Sequence, residues 1–262
     1  CPLKVAATED GPTNGQAGLR VSTNFVKTLI EAVYAGTDSY GSISDDEEEE
    51  IVASGAHWAY GEISFEGMQA LLARMNLSED SVFYDLGSGL GKAVTQAFFL
   101  SPAKTVVGVE MAVTRHNQAK HSCERLCKIL NLLGGQGVPI SGTKMGMGSE
   151  WLEEEPGSLS PTHILRAYGK EMRLVHADCM LVNTDSASHI FMANLTWPDE
   201  IVHKIGRMLD TRSSVVMVAS LKKFAEKELR HLKPAGVVYL PMSWQDRNVV
   251  SYGVPVYLYG RK

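Results

Sequence analysis

The feature that most constrains this chain is a glycine turn set directly behind a short apolar run. Residues Val82-Phe83-Tyr84-Asp85-Leu86 lead without a break into Gly87-Ser88-Gly89-Leu90-Gly91. An apolar run of that length, closed by glycines, predicts a buried parallel strand that ends in a tight turn. Glycine lets the backbone bend sharply and approach a ligand closely. A dinucleotide fingerprint needs Gly-x-Gly-x-x-Gly, but here the last slot holds Lys92 and the spacing is Gly-x-Gly-x-Gly. That ranks a NAD-dependent oxidoreductase low. Asp85 opens the turn, and its carboxylate would repel a pyrophosphate while attracting the ammonium of a methionine moiety. The turn therefore suits an amino-acid-bearing nucleoside. Lys92 reads equally as a partner for that ligand's carboxylate and as a surface lysine.

The same rhythm continues along the chain. Thr105–Glu110, Leu174–His176, Ile190–Asn194 and Val215–Ser220 read as strands, and Ala93–Leu100 and Ala112–Leu133 as helices. A further helix carries Ile201, Ile205, Met208 and Leu209, and Val237–Leu240 with Val254–Tyr259 read as an antiparallel pair. Alternating strands and helices followed by such a pair predict an α/β, Rossmann-like fold with a mostly parallel sheet. Glu110 ends the second strand, where doubly wound sheets hydrogen-bond ribose, and Asp178 follows the third, placed to accept from an adenine amino group. Three acids at three successive strand ends are stronger than any one of them, because open sheets bind ligands at those ends.

The N-terminal part reads differently. Residues 1–18, rich in Gly, Pro, Thr and Asn, read as a frayed tail, and roughly 20–35 reads as an amphipathic helix. Asp45–Glu50 is an unbroken acidic run, expected as a solvated, mobile linker, with an acidic contact for a basic partner as the sharper reading. Ser64 is the expected N-cap of a helix over Phe65–Met75. Residues 134–162 break the pattern and read as an inserted loop. The organisation expected is 1–59 as tail, helix and acidic linker, and 60–262 as a catalytic domain carrying the insertion.

Composition narrows the function classes. A net charge of −5 argues against a global electrostatic grip on nucleic acid. No stretch approaches the ~20 apolar residues that span a bilayer, and Cys1-Pro2-Leu3-Lys4 opens no signal-peptide core. Cys1, Cys123, Cys127 and Cys179 show no zinc spacing and too few cysteines for a disulfide scaffold, so reduced thiols are expected. The histidines form no metal motif, and no metal is expected.

Taken together, the motifs resemble the disruptor-of-telomeric-silencing histone lysine methyltransferases. Tyr60-Gly61-Glu62-x-Ser64-Phe65, the Asp85–Gly91 turn and Gly108-Val109-Glu110 carry the resemblance, in family order. His176-Ala177-Asp178-Cys179 falls on the family's Gly-Asp-Phe, and Ile190–Trp197 on its Asn-Asn-Phe-x-Phe loop. Ser220-x-Lys222-x-Phe224, Ser243-Trp244 and Val256-Tyr257-Leu258 echo its last strands. The resemblance runs from Tyr60 to the C-terminus. It implies a class I methyltransferase fold, S-adenosyl-methionine as cofactor with S-adenosyl-homocysteine as product, a lysine in the globular core of nucleosomal histone H3 as target, and nuclear residence. It also implies a cofactor site of Tyr60, Glu62, Asp85, Gly87, Ser88, Gly89, Gly91, Lys92, Glu110, Asp178, Cys179, Ala193, Asn194 and Trp197. Tyr60, Asn194, Trp197, Trp244 and Tyr257 are the expected catalytic set, with the aromatics lining a lysine channel and Glu62 anchoring the lid.

The departures are specific. Ala193 replaces the first Asn of the Asn-Asn motif, Cys179 replaces a Phe and Lys92 a Gln. No basic DNA-gripping segment is visible. These departures fit a compact, divergent member such as a protozoan one. A methyltransferase acting on a non-histone protein, RNA or small molecule is the nearest alternative, and a non-catalytic cofactor-binding module is the alternative of another class.

Overall fold

The computed structural model describes residues 21–38, 40–135, 149–153, 162–245 and 253–262. In chain order the elements are α1 (Thr23–Val33), α2 (Asp45–Ala53), α3 (Phe65–Arg74), β1 (Val82–Leu86), α4 (Lys92–Leu100), β2 (Thr105–Glu110) and α5 (Val113–Gly135). There follow β3 (Glu150–Glu153), β4 (Thr162–Ala167), β5 (Lys170–His176), β6 (His189–Met192), α6 (Asp199–Thr211), β7 (Met217–Ser220), β8 (Leu232–Leu240) and β9 (Val254–Arg261).

The strands form one sheet in the order β3-β4-β5-β2-β1-β6-β7-β9-β8. The five central strands, β5 to β7, pair in parallel, and both flanks are antiparallel. This is the expected α/β, Rossmann-like architecture. Side chains alternate across the sheet, so Phe83 joins one apolar cluster while Tyr84 and Leu86 join the other. Val26, Leu29 and Val33 of α1 pack into the first cluster, and Val202, Ile205 and Leu209 of α6 into the second. Both faces are therefore covered, and the carboxyl ends of β1, β2, β5 and β6 share one edge of the sheet.

Local chemistry explains where the helices begin. The Ser22 hydroxyl accepts from Phe25 N–H and the Ser64 hydroxyl from Gly67 N–H, the latter as the sequence predicts.

The acidic run is the largest correction, since Asp45–Glu50 opens a helix and is not a linker. The Ser44 hydroxyl accepts from Glu47 N–H, and four acids in the first turn complement the helix dipole. Glu47 is buried and accepts from Thr114 N–H at 2.9 Å and Thr114 Oγ1 at 2.6 Å, which caps the first turn of α5. The insertion reading also changes. Residues 149–153 and 162–167 contribute β3 and the unexpected β4, and Trp151 stacks on His163 across that pair. Residues 134 and 135 of the expected insertion end α5, and its remainder lies outside the described residues, as does the expected tail. β5 and β8 each begin several residues earlier than expected.

Candidate functional site

The glycine turn is fixed by its own backbone. Gly87 N–H and Ser88 N–H both donate to the Val109 carbonyl, at 2.8 and 2.9 Å, and Gly91 N–H donates to the Ser88 carbonyl at 2.9 Å. The φ angles of Gly87 and Gly89 are +80° and +54°, the left-handed region. A Cβ on Gly87 would lie 2.8 Å from the Trp197 ring, and one on Gly89 would lie 2.3 Å from the Tyr60 ring. Two aromatic side chains thus sit directly on the bare turn.

The three acids of the strand ends line a cleft of two adjacent lobes. Its larger lobe, about 850 Å³ including space open to solvent, is lined by Glu110, Asp178, Cys179, Trp197, Tyr60 and Arg115 among others. Its smaller lobe, about 320 Å³, is lined by Asp85, Glu62, Ser88 and Lys92. Tyr60, Gly61, Gly87 and Ala193 line both, so the two lobes lie side by side at the glycine turn.

Each acid has its own environment. Asp85 is 2% exposed, and its Oδ1 has no hydrogen-bond partner among the described residues. Burial pushes its carboxyl up to about 8, and the neighbouring Glu110 and Glu62 carboxylates add to the shift. Glu110 already accepts from Gly89 N–H at 2.7 Å and from Ala112 N–H at 2.9 Å, so it braces the turn. A second lone pair on each oxygen remains for a ribose hydroxyl. Asp178 accepts from Met180 N–H at 2.8 Å. Burial pushes the thiol of Cys179 up, which keeps it neutral.

Several expected roles change. Lys92 pairs with Glu62 at 2.7 Å, so its charge is spent inside the protein and not held for a ligand carboxylate. The Tyr60 hydroxyl donates to the other Glu62 oxygen, and Glu62 is tied by its backbone to Ser243, with Ser243 N–H donating to the Glu62 carbonyl at 2.8 Å. Glu62 thus anchors the Tyr60 segment. Asn194 is fully buried, and its Oδ1 accepts from Leu221 N–H at 2.9 Å and Ser220 Oγ at 3.1 Å, which fastens β6 to β7. Its Nδ2 has no partner among the described residues. Trp244 and Tyr257 are not brought into the cleft lining. Trp244 is 45% exposed and packs on Gly61, while Tyr257 packs beside the second apolar cluster with Lys223 Nζ 5.3 Å above its ring.

The site also includes residues that sequence reasoning missed. Ile51, Ser54, Ala56 and His57 line the larger lobe, and so does Arg115 of α5. Arg115 is 6% exposed and donates through Nε to the Gly41 carbonyl at 2.7 Å and through Nη2 to the Trp58 carbonyl. Its guanidinium carbon lies 5.0 Å from the Tyr60 ring centroid. No local motif announces this, because an arginine two residues into a helix looks like a solvated one. Among the described residues no cluster of metal-ligating side chains is present, and no described helix is long and apolar enough to cross a membrane.

These residues fit a cationic nucleoside. A buried carboxyl oxygen without a partner among the described residues, two acids in the adjoining lobe, and a turn in which a side chain at Gly87 or Gly89 would collide with the covering aromatics form a cradle that such a ligand completes.

Residues 46–149 match the family described as histone methylation protein DOT1. The match spans α2, the glycine turn, Glu110 and Arg115. A histone-lysine N-methyltransferase described as H3 lysine-79 specific, from Drosophila melanogaster, is 44% identical over 55 residues, which is 21% of this chain and 3% of the relative. The chain therefore spans only a small part of that relative's length. Among solved structures, a putative methyltransferase in complex with the Haloferax volcanii Trm112 activator aligns with 10% identity and a TM-score of 0.44, covering 82% of this chain and 92% of that one. A precorrin-6y C5,15-methyltransferase from Geobacter metallireducens aligns with 13% identity and a TM-score of 0.39, covering 74% and 86%.

Proposed function

We propose that this chain is an S-adenosyl-methionine-dependent protein-lysine methyltransferase whose substrate is a lysine in the globular core of nucleosomal histone H3. One observation carries the reading: the Asp85 carboxyl, with one oxygen unpartnered among the described residues, lines the lobe beside the one that Glu110 and Asp178 line, and Asp85 and Glu110 fall within the stretch that matches the DOT1 family. Asp85 would hold the cofactor's ammonium, Glu110 its ribose hydroxyls and Asp178 its adenine amino group, with Gly87 and Ala193 bordering the meeting of the lobes. When bound, the cofactor supplies an electrophilic methyl on a sulfonium.

The chain's own residues do the rest. A lysine amine is a nucleophile only when neutral, and with an ordinary value near 10.4 its deprotonation at pH 7 costs about 4–5 kcal/mol. Apolar walls reduce that cost by disfavouring the ammonium. Trp197 against Gly87 and Tyr60 against Gly89 supply such walls and hold water off the turn. Their π faces also favour a nearby cation, by ~0.5–2 kcal/mol each. Alignment of the amine with the methyl then supplies the remaining rate. Nuclear residence belongs with this reading.

Mass spectrometry of nucleosomal histones after incubation with the full chain and labelled cofactor tests it, with free histones and RNA in parallel. Methylation of a lysine in the H3 core, preferentially on nucleosomes, is expected. Label on RNA alone would move the substrate class. One observation favours a second reading, a cofactor-binding module without transfer: Ala193 lines both lobes, and the side-chain Oδ1 of Asn194 is turned inward to accept from Leu221 N–H. Tight cofactor binding with no labelled product on any substrate would select it.

A further inference from the structure

We propose that Arg115 is a positioning residue that holds Tyr60 over the glycine turn and thereby sets how long the cofactor stays in its cleft. The proposal rests on the cofactor reading above and adds a residue that neither the motifs nor the expected site includes.

The geometry is a clip with three contacts. Nε bonds the Gly41 carbonyl, Nη2 bonds the Trp58 carbonyl, and the guanidinium lies over the Tyr60 ring. The same ring is packed between two glycines: an added Cβ would come within 2.8 Å of it from Gly41 and within 2.3 Å from Gly89. Arg115 therefore grips the chain before and beside Tyr60 and also supports the ring's face. A guanidinium can do all three at once because its donors form a rigid fork on a planar, stackable group. A lysine offers one point charge and cannot. The arginine sits in the first turn of α5, directly behind the strand that ends in Glu110, so the anchor is part of the sheet scaffold.

On its other side the Tyr60 segment is held at Glu62, through Ser243 and Lys92. Loss of the Arg115 clip would leave residues 57–60 held only at their ends, by the Ala56 N–H bond to the Ile51 carbonyl and by Glu62, and able to lift off the larger lobe, which His57, Ala59 and Tyr60 line. The expected signature is faster cofactor escape with little change in the chemistry of the closed state.

The test uses the full chain, S-adenosyl-homocysteine as probe, and the variants Arg115→Gln, Arg115→Lys, Tyr60→Ala and Arg115→Gln with Tyr60→Ala. Dissociation of the probe should accelerate about tenfold in Arg115→Gln, less in Arg115→Lys, and by under about twofold when Arg115→Gln is added to Tyr60→Ala, because the two residues act as one unit. Hydrogen exchange gives a cofactor-independent readout: amides of 56–62 should exchange at least about tenfold faster in Arg115→Gln while those of 82–86 stay protected. Arg115→Lys serves if Arg115→Gln does not fold. Equal acceleration in both Tyr60 backgrounds, or unchanged exchange over 56–62, would overturn the proposal. Faster exchange in a chain whose wild type binds no S-adenosyl-homocysteine would sink the cofactor reading and the residence-time role together, leaving only a structural clip.

Discussion

The two walls of the cleft are built on different physical terms. The glycine-turn wall hangs from strand ends: its amides bond Val109, Glu110 braces it, and β1 is paired on both sides. The opposite wall, from Gly41 to Tyr60, joins no strand of the sheet. It is fastened by side chains, Glu47 to Thr114 and Arg115 to Gly41 and Trp58, both into the first turn of α5. A wall made of ladder hydrogen bonds opens only with the core, whereas a wall held by two clips can open locally. The first wall is therefore suited to recognition and the second to admission and release.

Changes in the rigid wall should be the most severe. Gly89→Val combines a strained φ with a collision against Tyr60, and cofactor binding should fall about a hundredfold or more while the chain still melts cooperatively, at a lower temperature. Calorimetry with S-adenosyl-homocysteine beside thermal melts separates the two effects. Retained affinity would show that the turn tolerates a side chain and is not the recognition wall.

Asp85 gives that wall a pH signature. Its folded-state carboxyl is raised to about 8, above an ordinary 3.8, so between those values the folded chain holds more protons than the unfolded one. Its contribution thus makes the cofactor-free protein less stable as pH rises through that window. A cationic ligand favours the ionised form, so affinity should rise with pH, by up to about tenfold per unit, until about pH 8. Asp85→Asn should flatten that profile and weaken binding. A wild-type profile flat from pH 6 to 7.5 would contradict the unpartnered-acid account.

Milder effects belong to the clipped wall. Glu47→Ala removes the cap on α5 and should cost about 0.5–2 kcal/mol, a fall in melting temperature of roughly 1–8 °C, with a modest loss of cofactor affinity. An affinity loss as large as that of Gly89→Val would erase the distinction between the walls. Neutralising exposed Asp45, Asp46, Glu49 and Glu50 should change stability least, within about 0.5 kcal/mol. The same variant should weaken nucleosome binding and its salt sensitivity if α2 meets a basic histone surface.

The same contrast governs how much of the site is legible in the sequence. The strand, turn and acids of the first wall lie in contiguous motifs with a local physical meaning, so Asp85, Gly87, Gly89, Glu110 and Asp178 are readable from the order of residues alone. The second wall depends on contacts between residues far apart in the chain. Six consecutive acids read as a repelled linker, because the Ser44 cap and the Thr114 partner of Glu47 contribute nothing to local composition. Arg115 is hidden for the same reason. Lys92 reads as a ligand partner or a surface lysine because its true partner, Glu62, comes from another segment. Trp244 and Tyr257 enter through family motifs, and the fold places them outside the cleft lining.

The most direct measurement is calorimetric titration of S-adenosyl-homocysteine into the wild-type chain and into Asp85→Asn, each first shown to be folded. The account predicts saturable one-to-one binding to the wild type, with proton release at pH 7, and both the affinity and the proton release sharply reduced in the variant. Equal binding by the two proteins, or none by the wild type, would contradict it.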